Sequence, residues 1–432
     1  MRRLRTPNRA LRALLAEAGW SGARLAREVN SLGAAQGFTL TYDRTTVSHW
    51  LSGTRPRPPA PELAAQVLSA RIGRRVRAVD AGLAQAGVRV PGESGAELLD
   101  AALKRAGRWD VYAPGEPGDG GSGPTPFSYA PDGVRVGMAH VESARQLLAA
   151  LSRSDDVFGS GAVREPLGRF LGAVVLPWLR AAVPPGVRRE LFEVAAQLAY
   201  LCGFVAFDGG RHALAQRMYG AAARLAEEAG DRAGRAVALR GLSVQAHQLG
   251  YAARARDLAE EAARVGVRYA PSRQHAFFLG QLAVAQAASG DPGYLVRLAQ
   301  AERCLERAGG AGELPVGAFH PGALALQQAY VHRARGDHRA TVRALETSLR
   351  HRPPDERRST AITLADLALT HLGVGHLDRA CAAAHTFLDL HPAVTSARVD
   401  TRLHTLLAGL RPHGRDRAAR GVLERARETR AR

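Results

Sequence analysis

Lysine, asparagine, cysteine and methionine are nearly missing from this chain of 432 residues, and each scarcity removes something. Lys104 is the only lysine, so arginine carries the basic charge and its distribution tells more than its total. The three cysteines, Cys202, Cys304 and Cys381, are far apart in expected helices. That spacing excludes a disulfide framework or a close-set zinc site and suits small buried apolar residues. No HExxH, GxSxG, phosphate-binding loop or paired CxxC occurs, and no glycine-rich loop follows a strand pattern. Neither an enzyme nor a bound cofactor is therefore expected. The histidines 371, 376, 385, 391 and 404 sit on hydrophilic helix faces, which gather histidine without any metal. No run approaches the roughly 18 uninterrupted apolar residues of a membrane span. Arg9, Arg12 and Glu17 break up any signal-peptide core, so a cytoplasmic chain off the membrane is expected.

What is present is helix-forming and basic. The chain is 46% hydrophobic, enough to bury the cores of two or more domains. Its net charge is +19, and residues 1–90 hold fifteen arginines against five acids, +10 of that total. The other 342 residues share +9, so positive charge is about four times denser at the front. Such asymmetry is the electrostatic footprint of a module that binds a polyanion.

Within the front segment, Leu11, Leu14, Leu15 and Ala18 recur at helical spacing, as do Leu25, Ala26, Val29 and Leu32 after a Ser21 cap. A later helix starts near Pro61 and buries Leu63, Ala64, Val67 and Leu68. Between them lies Asp43 to Arg57, DRTTVSHWLSGTRPR. Asp43 can cap a short helix that ends near Gly53. Val47, Trp50 and Leu51 share one face of it, and Thr45, Ser48 and His49 share the opposite face with Arg44 on its flank. Two readings stand: an ordinary amphipathic surface helix, or one whose polar side chains read the major groove of DNA. A compact basic unit of about 80 residues with one exposed polar helix matches the second in outline. One more helix, around Ala96–Ala106, completes or trails this domain.

Residues 107–139 form a Gly/Pro-rich linker with no helical period, interrupted by Trp109, Tyr112, Phe127 and Tyr129. From about 140 onward the chain reads as helix after helix. Gly210, Gly250, Gly290, Gly336 and Gly375 recur at spacings of 40, 40, 46 and 39. Counting Ala361 as position 1, Leu364, Leu367, Ala368, Ala380, Ala384, Phe387 and Pro392 fall at positions 4, 7, 8, 20, 24, 27 and 32, the tetratricopeptide (TPR) pattern. The units around Gly290 and Gly336 fit worse, with Leu295 and Glu302, then Thr341 and Leu345, at positions normally small. Stacked helical hairpins curve into a solenoid whose first helices line a groove. The groove-facing positions are Gln197, Tyr200, Phe204 and Phe207, then Arg240, Val244 and His247, then Tyr330 and Arg333. Aromatics with Arg and Gln suit a peptide or protein ligand, while packing of the same residues as core is the other reading.

The segments Ala16–Trp20, Leu25–Asn30, Tyr42–Pro58 and Pro61–Leu63, together with Val174–Leu179 and Phe207–Tyr219, resemble actinobacterial XRE-like helix-turn-helix transcriptional regulators with C-terminal TPR repeats. The resemblance spans residues 1–90 and about 140–400. It implies a recognition helix beginning at Asp43, with Arg44, Thr45, Ser48 and His49 at base edges and Arg55 and Arg57 on phosphates. Arg2, Arg3 and Arg5 could form a minor-groove arm or a solvated terminus. Segment 31–42 is longer than the turn of the basic motif. Regulators of this architecture that sense peptides often clamp them with asparagine, but Asn8 and Asn30 both lie outside the array. A glutamine-based clamp or another ligand would be needed.

The expected protein is thus all-α. It comprises a DNA-binding domain over 1–106, the linker over 107–139, a TPR-like array over 140–410 and a basic tail or capping helix over 411–432. The expected function is transcriptional regulation as a homodimer on double-stranded DNA, with a peptide, small ligand or protein partner in the groove. The alternative is a TPR scaffold or adaptor that joins proteins without reading DNA sequence.

Overall fold

The structure, a computed structural model, describes residues 7–35, 40–54, 56, 60–72, 76, 78, 81–83, 94–104, 136–308 and 319–431. Among these residues every regular element is a helix. Contacts divide the chain into two units, Met1–Gly92 and Glu93–Arg432.

The first unit contains α1 (Arg9–Ala18), α2 (Gly22–Ala35), α3 (Arg44–Leu51) and α4 (Ala60–Ile72). Its core is the set of apolar positions read from the periodicity. Leu11, Leu25, Val29, Val47, Trp50, Leu63 and Leu68 are all buried. Asn8 caps α1 by accepting from the Leu11 amide and donates its own amide to the Ala81 carbonyl at 2.9 Å. Gly22 lets α2 approach α3 closely, since a Cβ there would lie 3.2 Å from Val47 Cγ1. The helix preceding α3 includes residues 31–35, which the sequence reading placed in the connection to α3.

The second unit opens with α5 (Gly95–Lys104), which sequence periodicity placed in the first domain. The domain boundary therefore falls after Gly92 and not at 106. Helix α5 packs instead on α10 (His212–Ala229), where the Gly95 amide donates to Glu228 Oε1 at 2.6 Å. Asp100 also pairs with Arg180 at 2.6 Å. The expected linker and its four aromatics lie largely outside the described residues. At its far end, within the described residues, Val136 is buried and α6 (Met138–Phe158) starts at Met138. Then come α7 (Ser160–Phe170), a π turn over Leu171–Val175 and α8 (Leu176–Arg180). Pro177 has no amide to donate, and the widened turn just before it absorbs that break in the ladder.

Among the described residues, six antiparallel hairpins follow and stack into a solenoid. They pair α9 (Pro185–Asp208) with α10, α11 (Arg232–Gln248) with α12 (Ala252–Tyr269) and α13 (Ser272–Ala288) with α14 (Tyr294–Arg307). The later ones pair α15 (Pro321–Ala334) with α16 (His338–Arg350), α17 (Arg357–Gly373) with α18 (Leu377–Leu390) and α19 (Ala397–Leu410) with α20 (Arg417–Ala431). The five glycines that set the sequence period all sit in the turn inside a hairpin with φ between 74° and 86°, a left-handed conformation that side chains resist. Small positions nest under large ones: Gly203 lies beneath the Tyr219 ring, and Ala361, Ala368, Ala380, Ala384 and Phe387 are fully buried. The two units expected to be irregular still form hairpins. In α14 the inward residues are Leu298 and Ala301, leaving Leu295 62% exposed, while Thr341 and Leu345 are buried in α16. Of the expected basic tail or capping helix, Arg417–Ala431 form α20, which covers α18 with Ala419, Val422 and Ala426. Helix α9 is long and apolar enough to cross a membrane by length and composition alone, but 78% of its apolar window is buried in the array.

The first and last parts of the array also meet. The Thr395 amide donates to the Phe158 carbonyl at 2.8 Å and the Gly161 amide to the Thr395 carbonyl at 3.2 Å. Gly159 at this joint has φ 82°, and a Cβ there would lie 2.5 Å from Thr395 O. With ψ at 178° Gly159 occupies a region essentially reserved for glycine, so Gly159→Ala is expected to combine backbone strain of about 1–3 kcal/mol with an overpacking cost of about 1–3 kcal/mol. Gly290→Ala has a similar φ and open space around it, so only the strain applies. Urea unfolding of the two variants should show the larger loss for Gly159→Ala, and equal losses would contradict the joint.

Candidate functional site

The polar face of α3 owes its orientation to two local devices. Asp43 accepts from the Thr46 amide at 2.7 Å, and Thr46 Oγ1 completes a capping box with the Asp43 amide. The Thr46 amide bond holds the Asp43 carboxyl below its ordinary pKa. Upstream, Asn30 clamps the entry to the helix: its side-chain amide donates to the Tyr42 carbonyl at 2.8 Å and its oxygen accepts from the Tyr42 amide at 3.0 Å. The Tyr42 ring then meets Trp50 edge-on at 5.4 Å.

With Val47 and Trp50 buried beneath, Arg44, Thr45, Ser48 and His49 are all exposed. Among the described residues, no side-chain hydrogen bond or ion pair occupies any of these four. Arg55 and Arg57 lie outside the described residues, as do Arg2, Arg3 and Arg5. The structure thus brings four of the six expected DNA-contacting residues onto one solvent-facing surface. A helix of this kind can present donors and acceptors to a base-pair edge at no cost in broken internal contacts.

The inner face of the array is less open than the sequence implies. Phe207 is 1% exposed and belongs to the core. Tyr200 is also buried, beside Tyr219 with ring centroids 5.4 Å apart. Arg240 stacks 3.5 Å over the Phe277 ring and donates from Nε to the Phe277 carbonyl at 2.9 Å. Burial pulls the Arg240 pKa down to about 10, with only the two tyrosines to support its charge. Burial raises the Tyr200 phenol in the same way. His247 is held below its ordinary value by burial and by the nearby Arg333. Tyr330 donates to Asp366 Oδ2 at 3.4 Å, and Arg333 reaches Asp366 Oδ1 at 3.6 Å. Phe204 lies under the Arg358 guanidinium at 4.7 Å. Of the expected groove residues, Arg333 is exposed, whereas Gln197, Phe204, Arg240, His247 and Tyr330 are half-buried.

Sequence reasoning missed the ionic network that engages them. Arg358 of α17 is 4% exposed and contacts Asp155 Oδ2 at 2.5 Å, Asp156 at 3.2 Å and Asp208 at 3.9 Å. Burial works against its charge, yet Asp155, Asp208 and Asp156 together lift its pKa above the ordinary arginine value. Arg398 approaches Asp208 at 3.8 Å and Arg402 approaches Asp366 at 3.1 Å. Ser396 Oγ also donates to Asp208 at 2.9 Å. The sequence signal was a charged stripe on apolar helices, Arg358 with Asp366 and Arg398 with Arg402, but the acidic partners of Arg358 lie about 150–200 residues away. Among the described residues no group of His, Cys, Asp and Glu could hold a metal ion. Arg358→Met should cost about 3–5 kcal/mol by stranding buried carboxylates. Pairing it with Asp155→Leu should recover part of that loss in thermal unfolding, and no recovery would show that the pair is not coupled.

A family model described as SP15 N-terminal domain matches residues 11–84, the stretch that carries α2, α3, α4 and nearly all of α1. No curated protein matches the chain.

Proposed function

We propose that this chain is a DNA-binding transcriptional regulator whose helical array senses a peptide, small ligand or protein partner and holds two copies together. The observation that supports the reading is the surface of α3, where Arg44, Thr45, Ser48 and His49 face solvent above a buried Val47 and Trp50. The arginine excess of residues 1–90 supplies the sequence-independent attraction to phosphate that such a surface needs. A regulator of this kind acts in the cytoplasm, where its operator is. The resemblance to XRE-like regulators with TPR repeats supports the same reading, while the description of the matching family model names neither DNA nor a repeat.

The mechanism proposed is linkage between sites. A ligand that binds one conformation of the array more tightly than another shifts the population between them. In a dimer this changes the separation of two reading helices, and so their joint fit to half-sites about 34 Å apart. On the inner face, a ligand carboxylate could exchange with Asp366 for Arg333, the one exposed residue of the expected groove.

Gel shift against the DNA upstream of the chain's own gene tests the proposal. Specific binding should survive competitor DNA, and Thr45→Ala or Arg44→Ala should weaken it by about tenfold through loss of a base contact. Binding without sequence preference that vanishes by about 200 mM salt would favour the adaptor reading instead. Size measurement at the protein concentration of the assay should return a dimer, and a monomer bound to a single half-site would remove the linkage mechanism.

A further inference from the structure

A second basic surface lies on α12, α13 and α14. It is a groove of about 810 Å³ flanked by α12 and α14, the second helices of neighbouring hairpins. Arg264, Arg268, Arg297, Arg303 and Arg307 line it, with Glu260 as the one carboxylate among the lining residues. Glu260 is itself engaged by Arg256 at 3.7 Å. Arg264 is paired with Glu261 at 2.8 Å, and Arg297 donates to Gln300 at 3.0 Å. Among the described residues, Arg268, Arg303 and Arg307 are exposed and have no carboxylate within ion-pair distance.

The floor between these arginines is apolar. Ala263, Leu279 and Leu282 are buried there, and Val267 is 39% exposed at its edge. An adjoining depression of about 550 Å³ makes a useful contrast. Its Arg235 is already neutralised by Glu227 at 2.6 Å and Glu261 at 3.1 Å, and Arg232 lies on Tyr269, so it leaves less charge to attract an anion.

We propose that the α12–α14 groove binds a short amphipathic acidic helix of a partner protein, its apolar side on Val267 and the accessible edges of Leu279 and Leu282 and its carboxylates on Arg297, Arg303 and Arg307. Each half of that chemistry has a counterpart in the groove. A cationic rim over an apolar floor matches a helix with apolar anchors at i, i+3, i+4 and i+7 and acids on its flanks. A nucleic-acid backbone offers the charge without the apolar side, so it leaves the floor unused. Steering by exposed arginines acts over roughly 8 Å at physiological salt, which makes the interaction salt-sensitive. The proposal concerns residues outside the first unit and does not depend on DNA reading by α3.

The test uses the full chain and a labelled synthetic peptide of about 16 residues, with leucines on one helical face and glutamates on the flanks. A control peptide has the same composition with the leucines dispersed. Fluorescence anisotropy should give saturable binding of the first and at least about tenfold weaker binding of the second. Arg297→Glu with Arg303→Glu should lower affinity at least about tenfold while Arg44→Ala leaves it unchanged. Should that pair impair folding, Arg303→Gln with Arg307→Gln, both at exposed positions, should weaken binding in the same direction. Equal binding of the two peptides, or indifference to both arginine pairs, overturns the proposal. So does a result in which these substitutions weaken binding of a duplex of about 20 base pairs and not of the peptide.

Discussion

The closed arrangement of the array depends on a charge that water cannot reach. Arg358 is nearly inaccessible, and a guanidinium in that position costs several kcal/mol of hydration unless it is surrounded by acids. Asp155 and Asp156 come from α6 and Asp208 from the end of α9, so satisfying Arg358 draws α17 against the start of the repeat domain. The backbone pairing of Thr395 with Phe158 and Gly161 lies at the same joint, and Ser396 extends it to Asp208. The inner face of the solenoid is consequently ion-paired with itself. Aromatic and arginine side chains that would line an open groove, Phe204 and Tyr330 among them, are packed against this network.

In the first unit the constraint is geometric. A helix of only two turns has few bonds of its own, and α3 depends on its cap, on Val47 and Trp50 below, and on the Asn30 clamp at its entry. Those contacts use one side of α3 and leave the other to solvent. The same division of labour, buried stripe against exposed polar stripe, is what makes the unit a candidate for reading DNA. In the array a comparable division places an apolar floor between arginines, on α12, α13 and α14.

Much of this was legible in the chain. Periodicities of 3.6 gave the core of the first unit almost residue by residue, because short-range spacing decides which side of a helix is apolar. Glycines at intervals near 40 marked the hairpin turns, since a left-handed residue between two helices is a local requirement. The two poorly fitting repeats were visible as misfits, though not that α14 would turn Ala301 inward in place of Glu302. The assignment of α5 failed for a related reason: its pattern announces a helix with one apolar face, but not which unit supplies the surface that covers it.

Local pattern, then, determined by itself that the chain is helical, where each hairpin turns, and which face of α3 is polar, because all three depend on residues within a few positions of one another. Tertiary structure alone decided that Asp155, Asp208 and Arg358 would meet, that Arg240 would stack on Phe277, and that five arginines from two helices would border one groove. Those pairings join residues up to about two hundred positions apart. Their geometry follows from how successive hairpins rotate as they stack, a quantity that no spacing along the sequence encodes.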